Sequence, residues 1–173
     1  MKTIVVYKSK SGFVKNYAEW IAEELTAELF EASKVTPDML VAYDTIIFGG
    51  GLYASGINGV KLITGNMDKL KGKKIVVFFT GASPAREDIM PEIRDKNFTP
   101  EQQKHISFYY LRGGFDFSRL GIIDKVLMTG MKWMLKRKEN LTPDERGMLS
   151  AYEKPVDFTN KKYISQLIAD VKV

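Results

Sequence analysis

Apolar and polar positions follow two rhythms along this chain. Strands are predicted over Thr3–Tyr7, Glu28–Ala32, Thr45–Phe48, Lys74–Thr80 and Ile106–Leu111. The third is apolar throughout, as expected of a strand covered on both faces. Between these runs, apolar residues recur at helical spacing. Val14, Tyr17, Ala18, Ile21, Ala22 and Leu25 mark one face of a helix that starts directly after the first strand. Thr36-Pro37-Asp38 opens a short helical turn, with proline at a favoured first position. Further helices are predicted over about 59–70, through Arg86, Ile89 and Ile93, and over about 160–171, where Tyr163, Ile164, Leu167, Ile168 and Val171 share a stripe. Five strands with helical crossovers predict an α/β fold, a doubly wound five-stranded parallel sheet with helices on both faces. At 173 residues the chain is read as a single domain spanning 1–173.

In such a sheet the ligand sits at the carboxyl ends of the strands. The loops rich in glycine and hydroxyl groups follow strands one, three, four and five, so all four belong to one edge. The first, Lys8-Ser9-Lys10-Ser11-Gly12-Phe13, joins a strand to a helix N-terminus, where backbone N–H groups and the positive dipole end suit an anion. Ser9 and Ser11 add hydroxyls, and Gly12 lets the backbone close on a ligand. The loop is read as phosphate-binding; the competing reading is an ordinary turn in which Ser11 caps the helix. Neither G-x-x-x-x-G-K-[ST] nor G-x-G-x-x-G is present. The third strand ends in Gly49-Gly50-Gly51-Leu52-Tyr53-Ala54-Ser55-Gly56, the fourth in Thr80-Gly81-Ala82-Ser83-Pro84, and the fifth in Arg112-Gly113-Gly114-Phe115-Asp116.

Composition narrows the chemistry. The chain has no cysteine, which excludes disulfides, thiolate catalysis, iron–sulfur clusters and cysteine-ligated zinc. No metal site is expected. His105, the one histidine, adjoins a strand and is read as structural or surface. The net charge of +5 favours acidic substrates, anionic lipid headgroups or nucleic acid and does not choose among them. No charged leader precedes an apolar stretch, and no apolar run approaches the length of a membrane span, so a cytoplasmic protein is expected.

Ser9-Lys10-Ser11-Gly12-Phe13-Val14 is similar to the T/S-x-T/S-G-x-T phosphate loop of flavodoxins, with Val14 in place of the last hydroxyl. That resemblance implies FMN as cofactor. Ser9, Lys10, Ser11, Gly12, Phe13 and Val14 would surround its phosphate, with Lys8 and Lys10 otherwise read as solvated. Gly51, Leu52, Tyr53 and Ala54 would flank one side of the flavin ring, with Tyr53 as stacking partner. Thr80, Gly81, Ala82, Ser83 and Pro84 would approach the other edge through backbone N–H and C=O groups, beside Gly113.

The segment from about Arg112 to Lys138 resembles the menaquinone-dependent protoporphyrinogen dehydrogenases, flavodoxin-like enzymes with a helix inserted after strand five; here the insert covers about 115–150. This likeness implies oxidation of protoporphyrinogen IX, a hydrophobic acid-bearing substrate, and passage of electrons to a membrane quinone. Arg112 or Arg119 would pair a substrate propionate, and no residue is assigned a catalytic role. The chain departs from that family around Lys138–Tyr152. The alternative is a flavodoxin that carries electrons between protein partners; nucleic acid is expected in neither case. In the inserted helix, Ile123, Val126, Leu127, Met131, Met134 and Leu135 form an apolar stripe flanked by Lys125, Lys132, Lys136, Arg137 and Lys138. The stripe packs on the domain, binds a flat hydrophobic substrate, or lies on the inner face of an anionic membrane; the first is the commonest use of such a helix.

Overall fold

The computed structural model describes residues 1–85 and 88–173. Its centre is a parallel sheet of β1 (Thr3–Lys8), β2 (Glu28–Glu31), β3 (Thr45–Tyr53), β5 (Lys74–Gly81) and β6 (Ile106–Arg112), in the order β2-β1-β3-β5-β6. The short β4 (Gly56–Ile57) folds back antiparallel on the end of β3. Helix α1 (Phe13–Leu25) follows β1, and α2 (Pro37–Val41), α3 (Lys61–Thr64), α4 (Ile89–Asn97) and α5 (Pro100–Gln103) occupy the later crossovers. Alternate strand residues bury on opposite faces, so the sheet has two cores. Val5, Ile47, Val76 and Phe78 pack with Tyr17 and Ile21 of α1 and with Leu167 and Val171 of α8 (Ser165–Lys172). On the other face Ile4, Val6, Phe48, Val77 and Phe79 pack with Leu40, Ile63 and Ile93.

Three sequence expectations change. The third strand does not end at Phe48 but runs through Gly49-Gly50-Gly51 to Tyr53. Those glycines are strand residues because neighbours occupy the space a side chain needs. A Cβ on Gly49 would fall 2.1 Å from the Phe78 ring, and one on Gly50 would fall 2.6 Å from Ile57. The predicted helix over 59–70 shrinks to the single turn of α3, followed by i→i+3 turns such as Asn66 N–H to Ile63 O and Lys69 N–H to Asn66 O. Asn66 explains part of the break: its side-chain amide donates to Leu62 O, competing with the backbone ladder. The closing helix splits into a 3-10 turn over Lys161–Ile164, capped by Asn160, and then α8. Arg86, placed by the sequence in the fourth helix, lies outside the described residues.

After β6 the chain leaves the sheet. It forms β7 (Gly114–Phe115), α6 (Ile122–Lys136), α7 (Pro143–Glu153) and β8 (Val156–Asp157), which pairs antiparallel with β7. The segment Lys138–Tyr152 contains the start of α7. Thr142 and Glu145 form a reciprocal capping box, with Pro143 at the first turn.

Candidate functional site

The parallel register aligns Lys8 with Gly50, Gly51 with Thr80, and Gly81 with Arg112. The four sequence-predicted loops therefore leave the same edge of the sheet. In the first, Gly12 is the N-cap of α1, in the left-handed region at φ 96°. That conformation explains why glycine stands there. Ser11 does not cap the helix, since the N-cap has no side-chain hydrogen bond and the first turn carries no acid. Ser9 shapes the loop instead, its hydroxyl accepting from Gly12 N–H at 3.0 Å. The first-turn amides and the dipole end of a 13-residue helix thus meet the loop without a carboxylate to neutralise them. Such a donor set fits a phosphate group.

Two side chains from the insert cross this loop. Arg119 donates from Nη1 to Ser11 O at 3.3 Å and lies 3.4 Å from the position a Cβ on Gly12 would take. Its Nε pairs with Asp116 at 3.1 Å. A hydrogen bond from the Ser118 hydroxyl holds the Asp116 carboxyl below the usual carboxylate range, with Arg119 adding to it. Lys10 is ion-paired with Asp124 of α6 at 2.7 Å, rather than simply solvated. The same ammonium stands 4.3 Å above the Tyr53 ring. Burial pushes the Tyr53 hydroxyl up to about 12, and the Asp124 charge acts in the same direction. Lys8 faces Glu31 at 3.8 Å.

Tyr53 leads into a two-residue turn at Ala54 and Ser55 joining β3 to β4, both at positive φ (47° and 63°). Non-glycine residues adopt that conformation at a cost, so the turn must be held from outside. Helix α4 holds it: Asn97 donates to Ser55 O and accepts from Ile57 N–H, Glu92 accepts from the Ser55 hydroxyl, and Lys96 donates to Ala54 O. Ala54 is therefore a clamped turn residue. Neither Lys96 nor Asn97 was legible as part of this edge, because nothing local ties their helix to the turn 42 residues earlier.

The remaining loops close the edge. Gly113 donates its N–H to Gly81 O at 2.8 Å, and a Cβ there would meet Thr80 at 3.1 Å and Phe13 at 3.5 Å. One on Gly81 would lie 3.5 Å from Leu52, and one on Gly51 would lie 3.4 Å from Tyr53 and 3.7 Å from Val14. The structure thus brings together Gly12, Phe13, Val14, Gly51, Leu52, Tyr53, Thr80, Gly81 and Gly113. The carbonyls expected to serve a ligand in the fourth loop are already engaged: Ala82 O accepts from Arg112 and Ser83 O from Tyr110. Ser83 and Pro84 are exposed at its outer end. Arg112 also stacks on Phe158 at 3.6 Å, so of the two candidate arginines only Arg119 lies over the first loop. Beneath the edge, buried Tyr17 donates to Arg112 O at 2.6 Å and accepts from Asn160 N–H, with burial pushing its hydroxyl up to about 12.

A flavodoxin-domain family model matches residues 4–142 of this chain. A 100-residue stretch is 35% identical to an uncharacterised protein of Methanocaldococcus jannaschii, covering 56% of this chain and 65% of the relative. The chain thus spans just under two thirds of that protein's length. Among solved structures, similarity extends to the two-electron reduced flavodoxin of Megasphaera elsdenii, at 19% identity and a TM-score of 0.48, over 62% of this chain and 84% of that one. A flavodoxin from the domain Archaea matches at 17% identity and a TM-score of 0.42, over 89% of this chain and 98% of that one.

Proposed function

The chain belongs to the flavodoxin-domain family, and on that premise we propose that it binds FMN and carries electrons between protein partners. The observation that supports this most is the loop after β1, a left-handed glycine opening an uncapped helix at the ligand edge of the sheet. Bound FMN would supply reversible one- and two-electron redox chemistry. The chain supplies the holding. Ser9, Ser11 and the amides of Phe13 and Val14 would take the phosphate, with the Gly12 N–H holding the Ser9 hydroxyl in place, and Arg119 would add the charge-assisted contact that Val14 withholds. Leu52 and Tyr53 on one side and Thr80, Gly81 and Gly113 on the other would border the ring and exclude water from it. Lys10 covers one face of Tyr53, so stacking there uses the opposite face or displaces the ammonium. The net charge of +5 suits acidic redox partners.

A second reading is oxidation of a protoporphyrinogen-like substrate with a quinone as acceptor. It is favoured by one observation, the exposed apolar surface of the insert whose helix reaches the site at Asp124. The experiment is reconstitution with FMN, followed by anaerobic addition of protoporphyrinogen IX and then a menaquinone analogue. Quenching of FMN fluorescence, with no bleaching by the porphyrinogen but reversible reduction by a flavodoxin reductase, is the expected result. Rapid bleaching that the quinone reverses would establish the second reading. Failure to quench FMN fluorescence would end both.

A further inference from the structure

We propose that α6 is a docking surface for an anionic lipid membrane, with its axis along the headgroup plane. The sequence favoured an amphipathic helix whose stripe packs on the domain. The structure turns Ile123, Val126, Leu127 and Met134 of that stripe outward, while Met131 and Leu135 face the domain. Ile122, Ile123, Val126, Leu127, Trp133 and Met134 are exposed, with Ile122 at 84% and Ile123 at 77%. At about 100° per residue these six side chains fall on one contiguous face. The inward face is carried by Asp124, Met128, Met131 and Leu135, of which Leu135 alone is buried. An exposed apolar face of this extent marks an interaction surface.

Charge selects the occupant. Lys125, Lys132 and Lys136 recur at positions that form a single row along one edge of the apolar face, with Lys136 exposed, Lys125 half-buried and the half-buried Lys132 placing its ammonium 5.4 Å from the centre of the Tyr152 ring. Arg137 lies over the Trp133 ring at 3.4 Å, and Asp124, the one acid of α6, is taken by Lys10. The outward surface is therefore apolar and cationic. A lysine row beside an apolar stripe is how an interfacial helix meets anionic headgroups, with the aliphatic stems lying along the acyl boundary and the ammonium groups among phosphates. Trp133 has the amphipathic ring that settles at headgroup level. A second copy of the chain is a poorer occupant, because antiparallel pairing of two such faces about a twofold axis sets the cationic rows on the same side, one against the other. No helix among the described residues is long and apolar enough to cross a membrane, so the contact proposed is peripheral. This surface stands apart from the flavin reading, and its test reads lipid binding alone.

The full chain carrying Trp20→Phe, so that emission reports Trp133, is mixed with vesicles of phosphatidylglycerol and phosphatidylcholine, or of phosphatidylcholine alone. Cosedimentation with the anionic vesicles only, a blue shift of the Trp133 emission and release by salt are expected. Neutralising the row (Lys125→Gln, Lys132→Gln, Lys136→Gln) lowers partitioning about a hundredfold, from about a factor of five per cation at the surface. Val126→Glu, at an exposed position, abolishes the blue shift with an unchanged far-UV spectrum. Equal binding to both vesicle types, or binding to neither, overturns the proposal. So does a dimer in solution that Val126→Glu dissociates and that lipid leaves intact.

Discussion

The parallel sheet and the segment inserted after it are built on opposite terms. In the sheet, consecutive residues such as Ile46, Ile47 and Phe48 are fully buried, alternating between two cores that helices cover. Each side chain is fixed by neighbours from several elements. In the insert, only Leu120, Leu135 and Ala151 are buried among the described residues of 114–157. Besides the β7–β8 pairing and the Lys138–Glu145 ion pair, its cohesion centres on one residue at the junction of its elements. Tyr152 of α7 donates to Met128 O of α6 at 2.7 Å, and its ring meets Phe115 at 5.1 Å and Phe117 at 5.5 Å. Continuous apolar burial makes a rigid platform; a tyrosine hub and a few ion pairs make an attachment. The loop after β1 lies where the two regions touch, through Lys10–Asp124 and Arg119–Ser11.

That contrast can be broken by mutation. Phe78→Ala should cost about 3–5 kcal/mol in urea unfolding, whereas Met134→Ala on the insert should change stability by less than about 0.5 kcal/mol. A large cost for both would mean that the insert folds as part of the core. Next in size, Arg119→Gln should weaken FMN binding about tenfold while leaving riboflavin binding unchanged, as titrated by flavin fluorescence. Equal loss for both flavins would place Arg119 away from the phosphate. Tyr152→Phe removes a single hydrogen bond worth about 1 kcal/mol. Its effect should appear as faster amide exchange in α6 and α7, with the urea midpoint of the sheet unmoved.

The smallest effects are those of pH, and they separate the regions by sign. Asp116 and Glu145 of the insert have folded pKa values lowered by hydrogen bonds from Ser118 and Lys138. Their contribution is present above the unfolded carboxylate range and disappears as pH falls below about 4. Tyr17 under the sheet has its hydroxyl raised to about 12 by burial. The folded chain keeps a proton that the unfolded chain releases near pH 10, so this contribution is complete below about pH 10 and is lost on the way to about 12. Acid should therefore quench the exchange protection of α6 and α7 first, and alkali should lower the melting temperature of the whole domain.

The two regions also differed in how readable they were. The parallel sheet and the shared edge of its loops followed from apolar periodicity, because both faces of the sheet are buried, as the neighbours Val5 and Val6, Ile46 and Ile47, and Val76 and Val77 show. The placement of Gly12, Thr80, Gly81 and Gly113 on that edge was legible for the same reason: loops between such strands must leave one edge. The insert was harder. Its stripe has helical period, but period does not say which way a face points, and Ile123 turned out to face outward. The competing reading of the first loop made Ser11 the helix cap, yet Gly12 holds that position. The Lys10–Asp124 pair spans 114 residues, and neither partner carries a local signal of the other. The clamp of Asn97 on the Ala54–Ser55 turn was hidden in the same way.

Gly49 and Phe78 carry one further consequence. Because the Phe78 ring fills the place of a Gly49 side chain, at 2.1 Å from where a Cβ would sit, the two positions are effectively one choice written twice. A related chain that gains a side chain at position 49 must shrink the residue at position 78 in the same step. Drift at either site alone meets a barrier, and a library that randomises the two together will return survivors in matched pairs.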